Sequence, residues 1–168
     1  LYTRPEEPPL LIGAAVTEKT AEWLGSWADG MVTTSRPRKE AVKILDAFRR
    51  GGGEGKPVFL KVGMSYGRSD EIARQNAYEQ WRAVAFSNPV LTELHIPSQF
   101  DEIGKYVRPE DLDQSLRISG DVERHIAWLQ EDIELGFEEI YLHNVGTNQE
   151  EFIDVAGSRI LPALKKTL

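Results

Sequence analysis

Four short, largely apolar runs constrain the fold of this chain more than any other feature of its sequence. They cover residues 10–15, 31–34, 58–64 and 139–143. An apolar run of this length that does not alternate with polar residues is typical of a strand covered on both faces, as in a parallel sheet. Segments with apolar residues at helical spacing lie between these runs. The sequence therefore predicts strands that alternate with helices.

That alternation predicts parallel, right-handed βαβ units and an α/β fold. Four such units are half of a (β/α)8 barrel, which needs eight strands and about 250 residues. A small doubly wound sheet is the other architecture that four strands leave open. The chain has 168 residues, enough for a core of its own, and we expect a single domain over residues 1–168.

Residues that cap helices predict where the helices begin. Serine, threonine and aspartate side chains accept hydrogen bonds from the first backbone N–H groups of a helix. A glutamate three residues later completes a capping box. Residues 86–114 contain three prolines and predict only short helices and loops. The caps that we predict are Thr17, Ser35, Ser69 or Asp70, Asp121, and Thr147 together with Glu150.

The composition argues against several classes of function. The chain has 20 Lys and Arg against 27 Asp and Glu, a net charge of −7, whereas nucleic-acid backbones require clustered cations. The absence of cysteine excludes disulfides and thiolate metal sites and suits a reducing compartment, so we expect a cytoplasmic protein. The three histidines lack metal-ligand spacing, and no apolar run approaches the ~20 residues that span a bilayer. We therefore expect no metal, membrane or nucleic acid.

Loops that follow strands carry the functional side chains of parallel α/β proteins. Thr17 and Lys19 follow the first predicted strand, and Ser35 and Arg36 follow the second. Hydroxyls and cations at helix N-termini suit an anion such as a phosphate. His143 ends the fourth strand, where a barrel presents functional groups. The structural alternative is that the hydroxyls only cap helices, the cations are solvated and His143 is a hydrogen-bonded residue at the rim.

Other conspicuous side chains are expected to be structural. His125 lies in the middle of a predicted helix among polar neighbours, so we expect it to be exposed to solvent. The tryptophans all fall on predicted helices, where large aromatic side chains pack between helix and sheet or across a subunit interface. They are Trp23, Trp27, Trp81 and Trp128.

Four segments, taken in order, carry a family resemblance. They are residues 1–3 with 8–15, residues 28–34, residues 77–81 after 55–58, and residues 136–153. Together they resemble the luciferase-like monooxygenase superfamily, especially the branch of the coenzyme-F420-dependent glucose-6-phosphate dehydrogenases. Residues 28–34, Ala-Asp-Gly-Met-Val-Thr-Thr, are similar to that family's Gly-Asp-Gly-(apolar)2-Thr-Thr strand.

The resemblance implies that the four strands are the last four of a (β/α)8 barrel, so that the chain corresponds to its C-terminal half. The chain also opens without methionine on a proline-rich stretch, which we expect to be an interior linker or a trimmed end. The family implies an F420- or FMN-dependent oxidoreductase that acts on a small molecule. Most groups known for hydride and proton chemistry lie in the other half, so we expect the chain to be inactive alone. Its expected partner is the N-terminal half or a second copy.

The resemblance also implies roles for particular residues. The family's cofactor phosphate rests near the loop after the first of these strands, which nominates Val16, Thr17 and Lys19 as cofactor-binding residues. Ser35, Arg36 and His143 are the expected substrate-binding residues. The first loop departs from the family pattern, since it lacks a Gly-Pro pair and contains Glu18. A lysine of the glucose 6-phosphate site falls on Pro37, so glucose 6-phosphate is not the expected substrate.

A non-catalytic role is the competing hypothesis. The exposed edge of a half-barrel offers unpaired backbone groups to other chains. A half-barrel that associates with a second copy would cover such edges. The sequence thus leaves open an oxidoreductase half or a self-associating module.

Overall fold

The computed structural model describes residues 5–165 and follows the predicted alternation of strands and helices. The strands are β1 (Ile12–Ala14), β2 (Gly30–Thr34), β3 (Val58–Tyr66), β4 (Arg117–Ser119) and β5 (Glu139–Asn144). The helices are α1 (Glu18–Gly25), α2 (Arg38–Phe48), α3 (Asp70–Trp81), α4 (Asn88–Leu91), α5 (Pro97–Gly104), α6 (Val122–Ile133), α7 (Gln149–Val155) and α8 (Leu161–Lys165). Residues Arg49–Gly53 and Ala156–Ile160 form π-helical turns, and Arg82–Ala85 and Pro109–Gln114 form 3₁₀ turns.

The strands form one sheet in which β3 has the most neighbours. β1 pairs in parallel with β2, and β2 pairs in parallel with the first part of β3. The last three residues of β3 pair in parallel with β4, and β5 also pairs with β3. Parallel strands joined by helices are the arrangement that the sequence predicted.

The chain divides into two compact units, and both β3 and β5 contribute to each. The first unit consists of Leu1–Val62 and Ile133–Tyr141. The second consists of Gly63–Asp132 and Leu142–Leu168. The two candidate regions described below lie in different units.

In the first unit, α1 packs closely on one face of the sheet. An added side chain at Gly13 would meet the Leu24 side chain at 2.3 Å, so Leu24 packs directly over the glycine and would have to move to admit a larger residue. Thr33 and Leu60 are buried, and they share a face because they are partners in register. The alternate positions Thr34 and Lys61 are less covered and belong to the opposite face. This second face presents the exposed Thr34 and the half-buried Lys61.

In the second unit, α3 packs on β4 through small residues. Ala73 and Ala77 are fully buried, and they belong to the same apolar cluster as Ile118 of β4. The part-buried Arg117 and the buried Asp132 join β4 to α6 by two hydrogen bonds of 2.5 and 2.9 Å. The remaining members of the cluster are Val107, Leu112, Leu116 and Val145.

The prediction of about four strands was one strand too low. β4 has three residues, and its first residue is Arg117, whose charge is held by Asp132. So short a strand gives no apolar run, and only its pairing with β3 defines it. The first strand is also shorter than predicted, because Leu10 and Leu11 lie outside it and are 65% and 60% exposed.

Three of the predicted helix starts are confirmed, and in each the capping side chain accepts a hydrogen bond from an amide of the first helical turn. Thr17 and Ser69 accept hydrogen bonds from the backbone three residues ahead, and Asp121 accepts one from Glu123. Ser35 does not begin α2, since Pro37 takes the cap position and the helix starts at Arg38. A proline there leaves no side-chain cap, and its fixed φ sets the entry to the helix.

The predicted capping box of Thr147 and Glu150 is wrong. Asn148 occupies the cap position of α7, and no side chain caps that helix. The Asn148 amide instead donates to the Tyr66 carbonyl at 3.2 Å and to Glu151 at 3.4 Å. A tertiary contact with β3 therefore replaces the local one.

The expectation that His125 is exposed is also wrong, because its side chain is 1% exposed. Its Nε2 is 2.9 Å from the Ser119 carbonyl, and its ring stands edge-on to those of Tyr66 and Trp128.

The packing predicted for the tryptophans is not found for Trp23 and Trp27, which are 61% and 47% exposed and contact each other edge to face. Their place in a subunit interface stays a prediction. The segment 1–3 named for its family resemblance lies outside the described residues.

Candidate functional site

The loop after β1 presents the N-terminus of α1 together with exposed polar side chains. The Thr17 hydroxyl oxygen accepts a hydrogen bond from the Thr20 amide at 3.2 Å and lies 2.9 Å from the Thr20 hydroxyl. The amides of Glu18 and Lys19 precede the first intrahelical bond, in which Ala21 donates to the Thr17 carbonyl. Such amides, with the positive end of the helix dipole, favour an anion. The side chains of Glu18 and Lys19 are both exposed.

Arg36 joins this loop to the loop after β2. Its Nη1 donates to the Val16 carbonyl at 3.0 Å. Its Nη2 donates to the hydroxyls of Thr33 and Thr34 at 3.4 and 3.3 Å, and its Nε donates to the Thr34 carbonyl at 3.3 Å. The guanidinium therefore lies against the protein, half-buried between the ends of β1 and β2.

The positive charge of Arg36 is only partly offset by nearby negative charge. Burial lowers the pKa of Arg36, and the charge of Glu40 only partly offsets that effect. Arginine remains protonated in proteins even so. Among residues 5–165, no carboxylate forms an ion pair with Arg36. A half-buried cation held only by neutral acceptors makes this surface favourable for an anion.

Lys61 is a residue that the sequence analysis passed over. It is half-buried on the less covered face of β3, in register with Thr34, and its carbonyl accepts a hydrogen bond from the Ser35 amide at 2.9 Å. Burial lowers the pKa of Lys61. A single lysine inside an otherwise apolar strand is a signal that the sequence does contain.

His143, in the second unit, packs against α3. Its ring stands edge-on to Trp81 with centroids 5.0 Å apart. Trp81 also lines a cavity of about 410 Å³ with Val84, Leu91 and Phe100. His143 thus belongs to an aromatic contact beside an open cavity.

Asparagine side chains fix the strand ends next to His143. The Tyr66 amide donates to Asn144 Oδ1 at 3.0 Å, and Asn144 Nδ2 donates to Asn148 Oδ1 at 3.2 Å. The Asn148 amide donates back to the Tyr66 carbonyl, which closes a ring of hydrogen bonds between the ends of β3 and β5. An added side chain at Gly146 would meet Asn148 Oδ1 at 2.5 Å, so the loop after β5 needs glycine there.

The structure brings the nominated residues of the loops after β1 and β2 together, and it leaves His143 apart from them. Val16, Thr17 and Lys19 follow β1, and Arg36, next to Ser35, bonds directly to Val16. His143 belongs to the other compact unit. The binding roles of all six residues stay predictions.

Within residues 5–165, no three His, Asp or Glu side chains cluster in a way that would hold a metal ion. No helix in the described part of the chain is long and apolar enough to cross a membrane.

Sequence comparison finds related enzymes but no matching family model. The chain is 27% identical over 175 residues to an F420-dependent glucose-6-phosphate dehydrogenase of Microbacterium testaceum, a match that covers 99% of this chain and 52% of the relative. It is 24% identical over 174 residues to the enzyme of the same name from Kribbella flavida, again covering 99% and 52%. The chain therefore spans about half the length of the curated relatives that it matches.

Solved structures with the same fold also match over about half their length. An F420-dependent secondary alcohol dehydrogenase, in complex with an F420-acetone adduct, superposes with a TM-score of 0.80 at 18% identity, covering 97% of this chain and 51% of that one. A long-chain alkane monooxygenase superposes with a TM-score of 0.57 at 14% identity, covering 95% and 42%. At such identities the likeness concerns the fold, and it confirms the predicted half of a (β/α)8 barrel.

Proposed function

We propose that this chain, a relative of the F420-dependent glucose-6-phosphate dehydrogenases with the fold of luciferase-like enzymes, forms the phosphate-binding side of an F420- or FMN-dependent oxidoreductase. In such enzymes the deazaflavin or flavin carries the hydride. The protein binds that group, orients it and excludes water. The substrate would be a small molecule.

The bond from Arg36 to the Val16 carbonyl carries this proposal. It joins the loops after β1 and β2 into one surface at the carboxyl ends of two neighbouring parallel strands. Ligands of α/β barrels bind at this end of the strands. We therefore place the cofactor phosphate beside Val16, Thr17 and Lys19.

The groups on this surface fit a phosphate. The first amides of α1 and the Lys19 ammonium are donors, and the half-buried Arg36 adds positive charge. The carboxylate of Glu18 opposes an anion, but its side chain is exposed, so water and salt screen its charge. Ser35, which precedes Arg36, is our candidate for the substrate side of the same surface. His143 is a separate candidate in the second unit.

We infer that catalysis needs a complementary half. The curated relatives are about twice as long as this chain. The activity in their names belongs to proteins of that full length. The groups described here bind and orient an anion, while a hydride transfer also needs a closed site around the reacting atoms. The complementary half would be the other part of the barrel.

The first experiment is a cofactor titration with a matched ligand. FMN and riboflavin share the isoalloxazine ring and differ by the phosphate, so the ratio of their dissociation constants isolates the phosphate contribution. We expect FMN to bind at least about tenfold more tightly, as for a phosphate held by several charge-assisted hydrogen bonds. Equal affinities would exclude a phosphate site on this chain. F420 is titrated in parallel by its fluorescence.

A pair of lysine variants locates the site. We expect Lys19→Gln to lower the affinity for FMN and to leave that for riboflavin unchanged. Lys39→Gln, which removes another exposed cation, on α2, is the control. The same loss in both variants would indicate a general effect of net charge.

Self-association is the second candidate function. β1 ends the strand order, and in the described part of the chain it pairs only with β2. A free parallel edge of this kind favours pairing with another chain. Sedimentation of the purified chain without cofactor tests this alternative, which predicts a species of twice 19.0 kDa. A species of 19.0 kDa at all concentrations would contradict it.

A further inference from the structure

We propose that Arg36 is a positioning residue, which locks the loop after β1 in the conformation that receives the cofactor phosphate and does not itself contact the ligand. This inference rests on the proposed function, because the site is the one named there. It changes the role of Arg36 from the substrate-binding one that the sequence nominated.

Most N–H donors of the Arg36 guanidinium already make hydrogen bonds within the protein. A guanidinium has five N–H donors in a planar fork. Four of them point to the acceptors of Val16, Thr33 and Thr34, at distances of 3.0 to 3.4 Å. One N–H of Nη1 remains. A residue that bound a phosphate directly would present a pair of donors for a two-pronged contact.

The carbonyl that Arg36 holds is the one that decides how the loop enters α1. Val16 immediately precedes the cap residue Thr17. On one side of Val16, the Ala15 amide donates to the Val32 carbonyl at 3.0 Å. On the other side, the Thr20 amide donates to the Thr17 hydroxyl. Arg36 supplies the tie between these two fixed points, so it sets the direction of the first amides of α1.

The hydroxyls of Thr33 and Thr34, at the end of β2, accept hydrogen bonds from the guanidinium and hold it in place. Thr33 is 3% exposed, and its side chain lies on the buried face of β2. The bond from Nη2 to its hydroxyl therefore anchors the guanidinium to the sheet. Lysine keeps the charge of arginine but has one compact ammonium in place of the fork. It cannot reach the Val16 carbonyl and both hydroxyls at the same time.

The experiment compares Arg36→Lys, which keeps the charge, with Arg36→Met, which removes it. Thr33→Val keeps the arginine and removes one anchor without changing the volume. Arg38→Lys is the control, since Arg38 is an exposed neighbour in an ion pair with Glu134. The first readout is amide hydrogen exchange at Ala15, Thr20 and Ala21 in the ligand-free chain. The second is the ratio of the riboflavin and FMN dissociation constants.

We expect both Arg36 variants to accelerate exchange at these amides at least about fivefold, because methionine loses the hydrogen bond to Val16 and lysine cannot keep it together with both threonine anchors. We expect the preference for FMN to fall by a similar factor in both, so that lysine does not rescue arginine. Thr33→Val should produce a smaller change in the same direction, and Arg38→Lys none.

Several results would overturn the inference. If Arg36→Lys exchanges like the wild type and keeps the preference for FMN, the charge of Arg36 acts on the ligand directly. Accelerated exchange with an unchanged FMN preference would show that the loop conformation does not matter for binding. If the wild type binds neither FMN nor F420 while both variants accelerate exchange, the proposed function fails and the loop-locking role of Arg36 is supported.

Discussion

His125 shows how a single residue can mislead a sequence analysis. Its neighbours along the chain are polar, yet α6 turns this position toward β4 and the aromatic rings of Tyr66 and Trp128. Because its Nε2 bonds to the Ser119 carbonyl, Nε2 carries the proton and donates it in the neutral ring. Nδ1 is buried and has no hydrogen-bond partner among the described residues. Only neutral histidine suits such an environment.

We expect the stability of the protein to fall as the pH drops below about 6.5. Burial lowers the pKa of His125 from the ordinary value of 6.5, and the bond to the Ser119 carbonyl offsets this only in part. The unfolded chain therefore takes up the proton before the folded one does. The contribution of His125 is complete above the unfolded pKa and is lost as the pH falls through the folded pKa. Urea unfolding at pH 7.5 and 5.5 measures the difference.

His125→Gln should make the free energy of unfolding less dependent on pH across this interval, although the variant will be less stable. His95→Gln is the matched control, because His95 is exposed. An equal pH dependence in the wild type and in His125→Gln would contradict the assignment.

At the scale of elements, a buried ion pair fastens β4 to α6. The side chains of Arg117 and Asp132 are only 18% and 7% exposed, and Arg117 also donates to the Trp128 carbonyl at 3.4 Å. This contact holds the three-residue strand, which pairs with β3, against α6. The first residue of β4 is the charged Arg117, so the sequence contains no apolar run from which this strand could be predicted.

We expect Arg117→Met to lower the free energy of unfolding by about 3–5 kcal/mol, because it leaves the carboxylate of Asp132 buried without its partner. The double variant Arg117→Met with Asp132→Leu should recover much of that loss, since neither charge remains. Denaturant unfolding of the two variants tests this. A double variant as unstable as the single one would mean that the packing, and not the charge, is decisive.

A close approach of backbones joins α1 to the π-helical turn after α2. An added side chain at Gly51 would lie 1.8 Å from the Glu22 carbonyl oxygen, a distance that backbone atoms cannot accommodate without moving. We expect Gly51→Ala to cost about 1–3 kcal/mol or more in the free energy of unfolding. Gly157→Ala is the control, because nothing lies within 4 Å of its added methyl group. There we expect a gain of about 0.5–1 kcal/mol.

At the scale of the whole molecule, the acidic composition governs behaviour in solution. The net charge of −7 produces repulsion between copies of the chain at neutral pH, and the charge vanishes near the isoelectric point of about 5.1. We expect the lowest solubility close to that pH. Solubility measured from pH 4 to 8 checks this, and a minimum near neutrality would instead indicate association through apolar surface.

The number of strands and the length of the chain also belong to this scale. Five strands and eight helices occur in the described residues, and the match to known barrels covers about half of each. The proposed function depends on this proportion, because half of a barrel offers a binding surface and not a closed site.

The sequence by itself determined the α/β class, the first three strands and the fifth, and the caps at Thr17, Ser69 and Asp121. These features are local, since a short apolar run marks a strand even where, as in β1 and β5, part of the strand is exposed, and a cap acts within one turn. Only the tertiary structure decided that β4 is a strand, that Asn148 bonds to β3 and that Arg36 is held by Val16. Each of these depends on contacts between residues far apart in the chain, and no local pattern records which partner a polar side chain will meet.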